Sequence, residues 1–325
     1  MLADIVDHLR CPVCHDPVRL ADGAVRCPRR HAFDVARQGY VSFLAGSQAP
    51  GTADTPEMVA ARAAFLAAGH YAPLAAALAE LAATAPSARV PPTRATETHG
   101  SPIHGSPIHG SPAHGSPAHG SPIHGSPAHD SPAHDSPVVV DAGAGTGYYL
   151  AAVLDRLPGA TGIAFDISKH AIKRAARAHE RLGAFVADVW KPLPIADNAA
   201  DLLIDVFAPR NGPEFLRVLK PGGRLVVVTP GRSHLSPLVD ELGLLSVDDA
   251  KEQRISRSLT GFTEVGRRTV RARMLLDSAE IVQVVAMGPS AWHTDMSGLK
   301  ERLAKNHGKV AVGAEFHLST FEALA

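Results

Sequence analysis

The stretch Val138-Val139-Val140-Asp141-Ala142-Gly143-Ala144-Gly145-Thr146-Gly147 decides the fold. An apolar run ends in an acid and a glycine loop, and a helix-forming segment, Leu150 to Leu157, follows. That order sets the glycines at the carboxyl end of a strand, where a missing Cβ lets the backbone approach a ligand. The first turn of the next helix presents N–H groups with no partner inside the helix, a seat for a carboxylate or phosphate. A dinucleotide site asks for G-x-G-x-x-G. Here Gly147 comes one residue early, and Tyr148 stands where the third glycine should be.

The chain downstream narrows the choice. A second strand, Gly162-Ile163-Ala164-Phe165, ends in Asp166, 19 residues beyond Gly147. A carboxylate there can accept from both vicinal hydroxyls of a ribose. A third strand, around Phe185-Val186-Ala187, ends in Asp188, placed to accept from an exocyclic adenine amine. Acids at strand ends are often helix N-caps, and Asp166 with Ser168 can also be read as a capping pair. The joint spacing with the glycine loop favours a ligand at Asp166. Leu219-Lys220-Pro221-Gly222-Gly223-Arg224-Leu225-Val226-Val227-Val228 reads as a helix exit, a turn and a strand. The D-x-G-x-G-x-G form resembles motif I of the class I S-adenosylmethionine-dependent methyltransferases, and the Pro-Gly-Gly run resembles the turn before their fifth strand. A nicotinamide-binding Rossmann domain is the rival.

Strands are expected near 138–142, 161–166, 183–187, 201–207 and 224–229. Val265 to Leu276 and Lys309 to Phe321 add two more, with a helix from Ser278 to Ala286 between them. The fold class is α/β, a Rossmann-like doubly wound sheet with the ligand at its carboxyl strand ends.

Composition sets limits. With Lys+Arg 32 against Asp+Glu 32, the formal net charge is zero, so nucleic-acid binding must come from local patches. No apolar run approaches the roughly 18 residues that span a bilayer, and the first residues lack a signal-peptide layout. The expectation is a cytoplasmic protein with no membrane partner. All three cysteines lie within the first 27 residues, in Cys11-Pro12-Val13-Cys14 and Cys27-Pro28-Arg29-Arg30-His31. The C-x2-C-x12-C-x3-H spacing suits tetrahedral zinc. Asp22-Gly23 reads as the hairpin turn that folds the second pair onto the first. His31 is preferred as fourth ligand over His15, which abuts Cys14, and Asp34, a harder donor. A reduced, metal-free surface turn is the bland alternative.

With both ends read, the chain resembles the ribosomal RNA guanine-N1 methyltransferases that act on hairpin 35 of 23S RNA. The resemblance runs through Cys11 to His31, Phe33-Asp34-Val35-Ala36-Arg37-Gln38-Gly39-Tyr40-Val41, Met58-Val59-Ala60-Ala61-Arg62, Ala68-Gly69-His70-Tyr71-Ala72-Pro73 and Val206-Phe207-Ala208-Pro209-Arg210-Asn211. Val186-Ala187-Asp188-Val189-Trp190, and Val285-Ala286-Met287-Gly288-Pro289-Ser290 with Trp292-His293, are nearest the tylosin-resistance branch. The resemblance implies S-adenosylmethionine and zinc as cofactors, a homodimer whose ribbons and catalytic domains line an RNA cleft, and cofactor contacts at Tyr71, Gly145, Thr146 and His234. Asp141, Gly143, Gly147, Asp166 and Asp188 complete the candidate cofactor set; Cys11, Cys14, Cys27 and His31 form the metal set. Bland readings remain: Tyr71 as a packed helix-start residue, His234 as a cap of the helix after strand five.

The expected organisation is a zinc ribbon for RNA recognition over 1–45, a helical connector over 46–84, a linker over 85–137 and a catalytic domain over 138–325. From Gly100 the linker repeats every five residues as Gly-Ser-Pro-Ile/Ala-His, with seven histidines from His104 to His134. Proline in every unit and few apolar side chains predict a disordered or extended segment. Deleting residues 100–134 should therefore leave methyl transfer nearly unchanged. A large loss of turnover with intact folding would assign the tract a function.

Basic residues cluster at Arg26, Arg29, Arg30 and Arg37 in the ribbon, the RNA-binding candidates, because a metal-held scaffold positions guanidinium groups at low entropic cost. A second cluster is Lys169, Lys173, Arg174, Arg177 and Arg181, read as a helical stripe; a third is Lys251, Arg254, Arg257, Arg267, Arg268, Arg271 and Arg273. Either can be a solvated face. Guanine N1 carries a proton in the neutral base, so methylation requires its loss. Asp205, at the end of the fourth strand, is the candidate base, with water as the alternative, and Phe207 or Trp190 is expected to stack on a base. Two rival functions are a small-molecule methyltransferase and a noncatalytic zinc-ribbon RNA-binding protein.

Overall fold

The computed structural model describes residues 1–44, 53–84, 136–245, 258–305 and 308–324. The pentapeptide tract, with its expected disorder, and Lys251, Arg254 and Arg257 lie outside these.

The centre of the molecule is Val138–Ala142 (β5), buried at every position. A parallel strand covered on both faces has no solvent side, so its sequence is a continuous apolar run rather than an alternation. Around it stand Thr161–Asp166 (β6), Leu182–Val186 (β7), Ala200–Val206 (β8) and Leu219–Pro230 (β9), all parallel. Val310–Ala323 (β11) returns antiparallel to β9, and Phe262–Leu276 (β10) pairs with β11. The sheet is thus mixed, with β10 on its outer edge. The expected turn at Lys220–Gly223 is an irregularity inside β9: Leu219 pairs with Ala200 but Arg224 with Leu202, so the residues between bulge out.

Tyr40–Ser42 (β4), from the ribbon segment, extends the other edge in parallel with β7, Val41 opposite Phe185. The ribbon itself is a three-stranded antiparallel sheet, Arg19–Ala21 (β1), Ala24–Arg26 (β2) and Ala32–Asp34 (β3). Asp22 and Gly23 both have positive φ, 50° and 70°, the backbone of a two-residue hairpin turn whose twist matches its strands.

Two apolar layers cover the sheet. On one face Leu74 and Leu78 of Ala72–Ala83 (α3), Leu150 and Leu154 of Tyr148–Arg156 (α4), and Ile281 and Val284 of Ser278–Ala286 share a cluster with Val139 and Ala164. On the other, Leu2 and Ile5 of the N-terminal helix, ribbon residues Cys11, Val18, Val25 and Cys27, and Phe215 pack with Val138, Val140, Phe165 and Phe185. The ribbon therefore shares a core with the main sheet instead of hanging from it. Backbone pairing reinforces this, since Arg10 N–H donates to Pro194 O at 3.0 Å and Ala196 N–H to His8 O at 2.8 Å.

The stripe expected from the second basic cluster is corrected. Lys169–Ala175 (α5) ends before Arg177, so the i+8 position is not helical. Arg181 turns inward and donates to the carbonyls of Leu154, Leu157 and Ala160 at the end of α4. A guanidinium there adds donors to the carbonyls in and just beyond the last turn and complements the helix's negative end. It is a structural cap, not a phosphate binder.

Candidate active site and metal centre

A cleft of about 900 Å³ opens at the carboxyl ends of the strands. Tyr71, Asp141, Gly143, Gly145, Thr146, Asp166, Asp188 and His234 all line it. Gly147 and Asp205 do not.

The glycine loop is shaped by the protein around it as much as by any ligand. Gly143 has φ +72°, and a Cβ there would lie 2.4 Å from the Ala208 Cβ. Gly147, at φ +77°, is the N-cap of α4, and its Cβ would meet Ala175 Cα and Ala178 Cβ at 3.0 Å. Only glycine adopts such backbone without penalty and also admits these neighbours. Gly147 thus serves helix packing, and Gly143 lets the loop after β8 close onto the loop after β5.

Three acids converge on this rim. Asp166 accepts the Gly145 N–H at 2.9 Å and the Ser168 N–H at 2.8 Å. Ser168 caps α5 through Ala171 N–H, so the capping role falls to the serine while Asp166 ties the glycine loop to β6. Asp188 accepts from Trp190 N–H at 3.0 Å and still faces the cleft. Asp141 is 1% exposed, and neither carboxylate oxygen has a hydrogen-bond partner among the described residues. Burial, then the neighbouring charges of Asp205 and Asp166, push its carboxyl well above the usual range. Such a group costs free energy until a cationic or donating partner arrives. A ligand with a sulfonium and an ammonium relieves that cost, and a neighbouring ribose and adenine would find Asp166 and Asp188.

The connector closes the cleft from above. Arg62, on Pro56–Ala67 (α2), forms an ion pair with Asp54 and donates to Met287 O at 2.8 Å, lying over Gly145. Tyr71 is buried at the start of α3, its hydroxyl 3.2 Å from His234 Nε2. Its ring packs edge-on to Phe316 at 4.9 Å. His234 stands before the helix Leu238–Leu242, whose N-cap is Pro237, so it does not cap that helix. Sequence reasoning missed Asp54, Tyr149 and Leu235 as cleft residues, and quoted Arg62, Arg210 and the Met287–Ser290 turn without assigning them to it.

Asp205 is wholly buried, its Oδ1 3.2 Å from Arg210 Nε. Burial pushes its carboxyl up to about 8 despite the guanidinium, which pulls the other way. Phe207, at φ +58°, keeps 41% exposure at the mouth, and Trp190 keeps 62%.

In the ribbon, Cys11, Cys14, Cys27 and His31 bring their ligand atoms within 4.8 Å of one another. Cys14 and Cys27 sulfurs are 3.7 Å apart, and His31 Nδ1 lies 3.5 Å from Cys11 Sγ and 3.3 Å from Cys27 Sγ. Ligands at zinc–sulfur and zinc–nitrogen bond lengths stand about 3.6–3.8 Å apart along the edges of a tetrahedron. The set fits zinc as found. Arg26, Arg29, Arg30 and Arg37 are all exposed around it, Arg29 pairing with Asp16 at 2.8 Å.

Known families match the regions that hold the ribbon and the glycine loop. Residues 9–47 match the family described as RlmA, N-terminal, a zinc ribbon, and residues 139–223 match a methyltransferase domain family. A Micromonospora griseorubida protein whose name places it among the 23S rRNA guanine-N1 methyltransferases is 48% identical over 99% of each chain. The 23S rRNA (guanine(748)-N(1))-methyltransferase of Streptomyces fradiae is 43% identical, over 95% of this chain and 94% of its own. The chain belongs to the RlmA family of 23S rRNA guanine-N1 methyltransferases. It is an S-adenosylmethionine-dependent enzyme, and its ribbon is a Cys3His zinc site. Among the described residues of this methyltransferase, no single helix is long and apolar enough to cross a membrane.

Proposed function

We propose that this methyltransferase modifies N1 of the guanine in hairpin 35 that corresponds to position 748, acting in the cytoplasm as a homodimer and protecting ribosomes against tylosin-type macrolides. The Streptomyces fradiae relative, by its name, acts at guanine 748. The observation that carries the chemistry is the unpartnered, buried Asp141 beside Asp166 and the glycine loop. When bound, S-adenosylmethionine supplies an activated methyl group on positively charged sulfur. Asp141 would face its cationic end, Asp166 would accept from the ribose hydroxyls, and Asp188 would accept from the adenine amine. Gly145, Thr146, Tyr71 and His234 wall the same cleft, and Gly143 and Gly147 maintain the loop's shape.

The ribbon arginines would hold phosphates, and the exposed rings of Phe207 and Trp190 offer stacking surfaces for a base drawn out of the hairpin. Because the methyl donor is already activated, holding N1 in line with it supplies most of the acceleration. The test offers purified enzyme and methyl-labelled cofactor a hairpin 35 RNA beside the same RNA carrying adenine at the 748 position. Label is expected in the first only. Equal labelling of both RNAs would sink the site assignment, and label entering small metabolites but neither RNA would favour a small-molecule enzyme.

A further inference from the structure

We propose that Arg210, held by the buried Asp205, is the group that recognises the target guanine and stabilises the N1-deprotonated base. The inference rests on the reading of the enzyme as a guanine-N1 methyltransferase and assigns the residue that the reading leaves open.

The geometry is specific. Arg210 follows β8 in the loop Phe207-Ala208-Pro209-Arg210-Asn211 and lines the cleft with Asp141, Asp166 and Phe207. Its side chain is only 13% exposed, and Asp205, its partner, is fully buried. The bond uses Nε alone; among the described residues the η nitrogens have no hydrogen-bond acceptor. The loop around it is pinned at both ends. Ala208 packs on the glycine loop at Gly143, and Asn211 donates from Nδ2 to Val189 O at 2.8 Å while capping the helix Gly212–Val218. A guanidinium fixed by a buried carboxylate in the wall of a cleft is a preorganised electrostatic device rather than a solvated surface charge.

Guanine is matched to such a fork. Its O6 and N7 are adjacent acceptors that take a bidentate arginine, whereas adenine offers a donor where guanine has O6. Holding O6 and N7 leaves N1 free for attack. Loss of the N1 proton to water delocalises negative charge onto O6, where the guanidinium lies. The N1 lone pair then forms the new C–N bond as the S–CH3 bond breaks, and the electron pair of that bond returns to sulfur. No carboxylate need reach N1. Asp205 is a positioning residue acting through Arg210, which accounts for its lying outside the cleft lining.

The experiment compares single-turnover methylation by full-length wild type, Arg210→Gln, Arg210→Lys and Asp205→Asn over a range of pH, on hairpin RNA containing guanosine or 7-deazaguanosine. Thermal melts and cofactor calorimetry run alongside. Loss of one preorganised donor to a developing oxyanion slows the chemical step about 10²–10³-fold, and that loss is expected for Arg210→Gln with cofactor affinity unchanged. The rate should recover as pH rises, with the profile displaced to higher pH. Arg210→Lys should restore part of the rate, and Asp205→Asn should fall between wild type and Arg210→Gln. Removing N7 makes N1 less acidic and should slow both enzymes, the wild type by the larger factor because it also loses the arginine contact. A wild-type rate and pH profile in Arg210→Gln, or equal slowing of both enzymes by 7-deazaguanosine, would overturn the proposal. Failure of the wild type to form N1-methylguanosine would instead overturn the underlying functional reading.

Discussion

Replacing Cys27 with serine should strip zinc from the ribbon and lower the thermal midpoint of the whole protein, not of the ribbon alone. Structural zinc contributes on the order of 10 kcal/mol to small ribbons at neutral pH, and a serine hydroxyl is a far poorer ligand than a thiolate. The effect spreads because Cys11, Val25 and Cys27 share one apolar cluster with Phe165, Phe185 and Ile195 of the catalytic layer. Once the ribbon opens, that cluster meets water. A loss of several kcal/mol in a domain of this size corresponds to a fall of about 10 °C or more. Metal analysis of the purified variant and a calorimetric scan check both halves. Retained zinc with an unshifted midpoint would show that the Cys3His cluster is not what holds the ribbon to the sheet.

Asp166→Ala should cost cofactor affinity at least about 100-fold, and methylation with it. Two hydrogen bonds from ribose hydroxyls to a carboxylate are worth about 1.5–3 kcal/mol each, and the substitution also frees the Gly145 N–H that Asp166 holds at 2.9 Å. RNA retention should survive, because the ribbon arginines are untouched. Calorimetry with S-adenosylmethionine and a filter-binding assay with the hairpin separate these outcomes. If cofactor affinity is unchanged in the variant, Asp166 is only the tie between β6 and the glycine loop.

The two predictions rest on features of different legibility. The strands could be read from sequence because parallel strands buried on both faces carry apolar runs without alternation, as in Val138–Val140 of β5 and Leu202–Ile204 of β8. The metal site was legible because zinc demands ligand types at short spacing, and Asp22-Gly23 announces the turn that pairs them. What escaped was tertiary. Nothing in local pattern tells that Arg62 reaches across to Met287, that Arg181 turns in to cap α4, or that Tyr40–Ser42 joins the catalytic sheet beside β7. These contacts join segments far apart in the chain, and their side chains look like ordinary surface residues until the fold brings them together. Asp205 shows the same limit from the other side: its place at a strand end was legible, but its complete burial behind Arg210 was not.

The most direct measurement digests the methylated hairpin to nucleosides and identifies the base and atom that carry the labelled methyl group, with primer extension locating it in the strand. N1-methylguanosine lacks the donor needed for Watson–Crick pairing, so reverse transcription should stop at one position, and the labelled nucleoside should be N1-methylguanosine alone. Label on another guanine atom, or on another base, would contradict the account.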